Sequence, residues 1–283
     1  MRACNPHAGR GLHSCPRGEY RSQWGEERVL LPLLQHVTRG KPGVFTELGA
    51  LDGVSLSNTF ALERCFGWRG VLIEADPKNF KALAKAGRNA SHVFHAAVCS
   101  ESTGSIPISS SPIFAATSGS VQHMTAEHAA RFNLSAVTTN VPCKPLGKFL
   151  DAAGFPAADF LSLDVEGAEL QVLKNANPAA FKVIMVETDG DNPQKEKMVE
   201  SLLLEAGFGH THTLTLGRQK GGGVSAVFVH KSVQQVPYLK HPQATSPDPK
   251  ALEGRCFDVS GEGSLDKPQV VLSPACERLA CTM

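Results

Sequence analysis

Carboxylates recur at the ends of short apolar runs in this chain, beside glycines, and these are the residues whose types and spacing could do chemistry. The first run reads Phe45-Thr46-Glu47-Leu48-Gly49-Ala50-Leu51-Asp52-Gly53. A dinucleotide turn wants GxGxxG, so that a pyrophosphate can sit on a helix N-terminus. Here an acid stands near the end of the run and the pattern is ExGxxxG. A carboxylate there repels a pyrophosphate and suits a ligand carrying ammonium and sulfonium charge. The glycines let the backbone pass close beneath such a ligand. An ordinary strand–turn–helix with an incidental acid has the same appearance.

The second run, Val71-Leu72-Ile73-Glu74-Ala75-Asp76-Pro77, puts Glu74 25 residues after Gly49. In nucleotide-binding α/β folds an acid at this place accepts hydrogen bonds from ribose hydroxyls. Asp76, directly before Pro77, reads better as a helix cap. The third, Leu161-Ser162-Leu163-Asp164-Val165-Glu166-Gly167-Ala168-Glu169, ends in Asp164, with Glu166 in the turn beyond. Asp164 is either a cleft carboxylate or a helix cap. Glu169 falls in a first helical turn and reads as structural. A fourth run ends in Glu187, with Asp189 two residues on. Such acids offer two chemistries. Asp164 or Glu166 can serve as a general base. Asp164 and Glu187, as hard oxygen ligands, can hold Mg²⁺. His95, His123 and His128 are alternative bases.

The elements that must position these acids follow a rhythm of strand, turn and helix across residues 21–231. Strands are expected at 44–48, 70–75, 92–98, 159–164 and 182–187, with a terminal antiparallel pair at 211–216 and 224–231. Helices are expected at 54–66, after the Asp76 cap, at 146–153, at 168–175, and from Asn192-Pro193 to Gly207. Residues 100–142 are ambiguous, with a helix near 121–131 and a strand near 137–142. This alternation predicts an α/β domain with a mostly parallel sheet of about seven strands and helices on both faces. Ligands of such sheets bind beyond the carboxyl ends of the strands, where the acids lie.

The flanks read differently. Residues 1–20 are aperiodic and read as a disordered extension, and residues 232–283, with six of the 18 prolines, read as a flexible tail. In 283 residues, 42% are hydrophobic and the net charge is +1. That balance gives no reason to expect nucleic acid as a partner. No apolar run reaches the length of a membrane span. None of the eight cysteines forms a CxxC pair. Cys65 and Cys99 read as small buried hydrophobes, and reduced thiols in a cytoplasmic setting are the expectation. Asn89-Ala90-Ser91 and Asn133-Leu134-Ser135 match the glycosylation triplet, which carries little weight without a secretory signal, and none is recognisable here.

Taken together, Ser22-Gln23, Phe45 to Gly53, Leu56-Ser57-Asn58-Thr59, Leu62-Glu63, Gly67-Trp68-Arg69-Gly70, Ile73-Glu74 and Leu163 to Glu169 resemble the FkbM family of methyltransferases, in order and spacing, over roughly residues 21–230. The resemblance implies a Rossmann-like class I methyltransferase fold. It also implies S-adenosylmethionine as cofactor and O-methylation of a hydroxyl on a small molecule, sugar or lipid-linked acceptor. By the same resemblance Glu47, Gly49 and Gly53 cradle the methionine part, Glu74 holds the ribose, Ala50 and Asp52 of the same turn join the cofactor site, and Asn58 faces the cofactor. The Ser57-Asn58-Thr59 form especially resembles eukaryotic members, including Star-like membrane-trafficking proteins, whose membrane anchor this chain lacks. A non-catalytic interaction protein is therefore an alternative, and a nicotinamide oxidoreductase a second one that the missing GxGxxG opposes.

Overall fold

The computed structural model describes residues 15–100, 104–120, 122–134, 138–188, 190, 192–215, 224–234 and 236. Of the cysteines, Cys4, Cys256, Cys276 and Cys281 lie outside these residues, as do Asp189 and all but the first few positions of the 232–283 segment.

Among the described residues, ten strands and seven α-helices are formed. The strands are β1 (Val44–Leu48), β2 (Arg69–Glu74), β3 (Ser91–His95), β4 (Ala97–Val98), β5 (Ser105–Ile108), β6 (Thr139–Lys144), β7 (Ala158–Leu163), β8 (Phe181–Glu187), β9 (Phe208–Thr215) and β10 (Val224–His230). The helices are α1 (Glu26–Thr38), α2 (Phe60–Phe66), α3 (Pro77–Leu83), α4 (Ala126–Arg131), α5 (Leu146–Ala152), α6 (Glu169–Lys174) and α7 (Pro193–Glu205). The main sheet has seven strands, as expected, and their order is β3-β2-β1-β7-β8-β10-β9. β3, β2, β1, β7 and β8 pair in parallel, and β10 runs antiparallel to both β8 and β9. Alternate residues of each central strand enter different cores, because successive side chains leave a strand on opposite faces. Val71 and Ile73 pack with Phe149 and Leu173 on the face of α5, α6 and α7. Leu72, Phe45 and Phe160 pack with Leu30, Leu34 and Leu62 on the face of α1 and α2.

The chain leaves β1 towards β2 on one side, while β7 joins β1 on the other. Strand order therefore switches between β1 and β7, and a crevice opens there at the carboxyl ends. A second, three-stranded sheet, β4-β6-β5, stands beside it.

Four expectations are corrected. α1 was not foreseen as a helix, since Pro32 stands inside it and interrupts the apolar run. The 54–66 helix begins only at Phe60, because Leu56 takes a φ of +59° and bridges to Ser22. Residues 15–20 are ordered, with a 3₁₀ turn at Arg17–Glu19. The thiols are not all reduced: Cys15 is joined to Cys65 and Cys99 to Cys143. Among the described residues no helix is long and apolar enough to cross a membrane.

Candidate active site

Gly49 closes β1 with a φ of +78°, and a Cβ there would lie 1.8 Å from the Asp164 carbonyl oxygen. Only glycine lets the β1 turn and the β7 turn touch in this way. The Gly49 and Ala50 N–H groups donate to the Ile73 carbonyl, and Asp164 N–H donates to Leu48. Three strand ends are thus locked into one rim. Below it lies a cavity with about 930 Å³ of non-protein space, part of it open to solvent, lined by Gly49, Ala50, Asn58, Glu74, Ile108 and Asp164 among others.

Glu74 ends β2 and is almost fully buried on this cavity. Leu51 N–H and Asp76 N–H each donate to one of its oxygens at 2.7 Å. Burial pushes its carboxyl up to about 7, against the lowering effect of those two donors. Each oxygen keeps a further lone pair for a ligand hydroxyl. Asp76 caps α3 by accepting from Lys78 and Asn79 N–H, as expected.

Glu47 also lines this cavity, with both of its oxygens met by neighbouring donors. One oxygen accepts from Ser57 Oγ at 2.8 Å and Thr59 Oγ1 at 2.6 Å, and the other from Asn58 N–H at 2.7 Å. The Arg88 guanidinium stands 4.0 Å away, donating also to Thr59 and to the Gly53 carbonyl. These partners shape the loop that leads into α2. Asp52 likewise turns to its own loop, accepting from Val54 and Ser55 N–H. Gly53 packs below the rim, where a Cβ would lie 2.5 Å from Leu83 Cδ1. Asn58 does face the cavity. Its Nδ2 donates to Ser162 Oγ at 3.0 Å, and its buried Oδ1 has no partner among the described residues.

Asp164, Glu166 and Glu187 converge beyond β7 and β8, one oxygen of each lying within 4.8 Å of the others. Burial, and next the Asp164 charge, holds the Glu187 carboxyl well above the usual carboxylate range. Asp164 does not cap a helix, since α6 starts five residues later with Ala168 at its N-cap. Glu166 takes a φ of +54° and meets His128 Nε2 at 3.3 Å. Glu169 is buried and structural: it accepts from Val165 and Gly167 N–H and pairs with Lys195 Nζ at 2.6 Å, fixing the turn that carries the acids. Of the histidines, His95 bonds the Ala75 carbonyl and stacks on Phe80. Burial lowers the His123 ring.

A smaller pocket adjoins, lined by Gln23, Trp24, Glu26, Met185 and Glu187. It shares Leu56, Asn58 and Asp164 with the large cavity. Gln23 and Trp24 precede α1, and sequence reading missed them as site residues. Buried Glu27 accepts from Arg21 and Ser22 N–H and so brings that segment over the strand ends. Sequence reading missed Arg88 too, for which no local motif exists.

Residues 47–209 match the methyltransferase FkbM domain family, which spans the strand ends just described. The chain belongs to this family. It is thus a methyltransferase domain of the kind that uses S-adenosylmethionine. No curated protein sequence matches it. Among solved structures, the methyltransferase FkbM of Methylobacillus flagellatus is similar at 14% identity, with a TM-score of 0.44 over 67% of this chain and 44% of that one. The precorrin-6y C5,15-methyltransferase of Geobacter metallireducens is similar at 9% identity, with a TM-score of 0.43 over 76% and 92% of the two chains.

The donor set of the large cavity fits the cofactor. Glu74 is an acceptor for ribose hydroxyls, the Gly49 turn leaves room for close approach, and the unpartnered Asn58 Oδ1 is an acceptor for an ammonium.

Proposed function

We propose that this domain O-methylates a hydroxyl of a small-molecule, sugar or lipid-linked acceptor. The observation that carries the proposal is that Asp164 and Asn58 line both the large cavity and the smaller pocket, so that one carboxylate borders both. S-adenosylmethionine, when bound, supplies an electrophilic sulfonium methyl. Glu74 would hold the ribose hydroxyls, and Asn58 Oδ1 would accept from the ammonium of the methionine part. Glu47 acts at one remove, setting the Ser57–Thr59 loop that presents Asn58. The acceptor enters past Gln23 and Trp24, and its hydroxyl gives its proton to Asp164. A base must lie within hydrogen-bond reach of that proton, and the place of Asp164 on the wall shared by the two pockets supports that role. Glu166, steadied by His128, keeps Asp164 from being the sole charge at the seam.

A second reading gives the acids to Mg²⁺. Three carboxylate oxygens within 4.8 Å of one another are a hard-oxygen set of the kind this ion takes, and Asp164 with Glu187 are its main ligands in that case. One experiment separates these readings from a non-catalytic interaction protein. Calorimetry with S-adenosylmethionine is followed by turnover with labelled donor on sugar and lipid extracts, with and without EDTA. Binding with chelator-resistant turnover supports the base. Loss in EDTA with rescue by Mg²⁺ supports the metal. Absence of binding leaves the interaction protein.

A further inference from the structure

The disulfides change the meaning of two surface turns. The Cys15–Cys65 bridge ties the segment before α1 to α2, across 50 residues. The Cys99–Cys143 bridge ties the end of β4 to β6, across 44 residues, in the small sheet whose Ala97 and Val98 line the cavity. Bridges that join separate elements form and persist in oxidising compartments, whereas cytosolic thiols are kept reduced. The expectation of a cytoplasmic protein came from finding no clear signal peptide or membrane helix, with reduced thiols as its companion, and the two bridges contradict that companion.

The two Asn-X-Ser triplets, neither with proline at X, then stand in the setting where such triplets are used. Asn89 lies exposed in the turn between Gly87 and β3. Its strand begins at Ser91 opposite Gly70, at the amino edge of the sheet, whereas Glu74 and the site occupy the carboxyl edge. A large substituent at Asn89 therefore leaves the cavity open. Asn133 lies exposed in the turn after α4 with a φ of +50°, a conformation in which asparagine is favoured over most residues. Neither asparagine lines either pocket of the site.

We infer that this chain matures in an oxidising, glycosylating compartment, with both bridges formed and N-linked glycans on Asn89 and Asn133. The inference is independent of the methyl-transfer reading. In each glycan transfer the bond from Asn Nδ2 to the anomeric carbon of the sugar forms as the bond from that carbon to the diphosphate of a lipid-linked oligosaccharide breaks. The lipid diphosphate leaves, and an amide proton passes to the transferase. In each bridge two thiols become one disulfide, and two electrons and two protons reduce a donor protein disulfide to a dithiol.

The test uses the native protein, captured by antibody from the cells that make it. Peptide-N-glycosidase in heavy-oxygen water should convert Asn89 and Asn133 to labelled aspartate and raise the mobility in two steps. Asn89→Gln and Asn133→Gln should each remove one step when expressed in the same cells. Non-reducing peptide maps should show the linked peptides Cys15–Cys65 and Cys99–Cys143. Unmodified peptides at both asparagines overturn the glycan assignment even where the bridges are found. A glycan on one turn alone overturns the other position. Alkylatable thiols at Cys99 and Cys143 overturn the compartment itself.

Discussion

Two acid sites on neighbouring strands of one sheet have opposite surroundings. Glu47 on β1 is surrounded by donors: two hydroxyls, one backbone N–H and a guanidinium converge on it. Asp164, Glu166 and Glu187 on the β7 and β8 side are surrounded by one another, with His128 as the basic neighbour of Glu166. A buried carboxylate whose oxygens are met by donors is architecture, and its loss costs stability. Carboxylates crowded together in a cleft cost stability and are retained for chemistry. The same residue type at equivalent strand ends thus stands in opposite surroundings, and mutation can tell whether the purposes differ as proposed.

The largest effect is expected at Asp164. Asp164→Asn should lower turnover by about 10²–10⁴-fold, the usual contribution of a positioned base. Donor affinity should stay unchanged, because the lost interaction is made mainly in the transition state. Single-turnover rates and calorimetry read the two quantities. Unchanged turnover would remove the crowded acids from the chemistry and leave the comparison without its functional side.

The Glu47 side should fail differently. Arg88→Met leaves the buried Glu47 carboxylate without its cation, and also loses the Glu63 pair at 2.9 Å and the guanidinium contact over the Phe45 ring. Removing one partner of a buried pair costs about 3–5 kcal/mol. Denaturant unfolding should show this loss whether or not donor is present. A variant that folds normally yet loses donor binding would make Glu47 a ligand after all, as the ExGxxxG pattern first suggested.

The contrast between the two regions shows what the sequence made legible. β1, β2, β7 and β8 are apolar runs bounded by glycine, proline and acids, so each could be read within a residue or two. Asp76 and Glu169 were assigned correctly because a cap and a first-turn acid act on their own neighbours. The Glu47 network was not legible, because its partners arrive from 10 and 12 residues away, and Arg88 from 41. The small sheet was blurred by Pro107 and Pro142, which interrupt the alternation of β5 and β6. Cysteine spacing cannot fix which thiols meet, since that depends on the folded register of β4 with β6 and on where the segment before α1 returns.

Glu74 lies between the two regimes, with two N–H donors yet a carboxyl raised by burial. Glu74→Ala removes a charged acceptor worth about 1.5–3 kcal/mol. S-adenosylmethionine should then bind roughly ten- to a hundred-fold more weakly by calorimetry. Equal affinity would mean that Glu74 only ties the Leu51 and Asp76 turns together.

The smallest effect has the opposite sign from Arg88→Met, and it is the sharpest test of the comparison. The Glu187 carboxyl titrates well above its unfolded value because burial and the Asp164 charge oppose its ionisation. The folded state therefore holds a proton that the unfolded state has released, over the window from the ordinary carboxylate range up to the raised value. Stability falls as pH rises through that window, since the unfolded state binds fewer protons there. Glu187→Gln removes the ionisation while keeping the side-chain shape. In the presence of EDTA the variant should be more stable than the wild type at the top of the window. The gain should be about 0.5–2 kcal/mol, the range that single stabilising changes commonly give. The difference should shrink as pH falls into the ordinary carboxylate range, where both proteins are neutral at this position. Adding Mg²⁺ should raise the wild-type midpoint alone if the acids bind the ion, because a ligand of the folded state stabilises it. A destabilised Glu187→Gln at neutral pH, with EDTA present, would mean that Glu187 is held by donors as Glu47 is, and the two regions would then differ in position but not in kind.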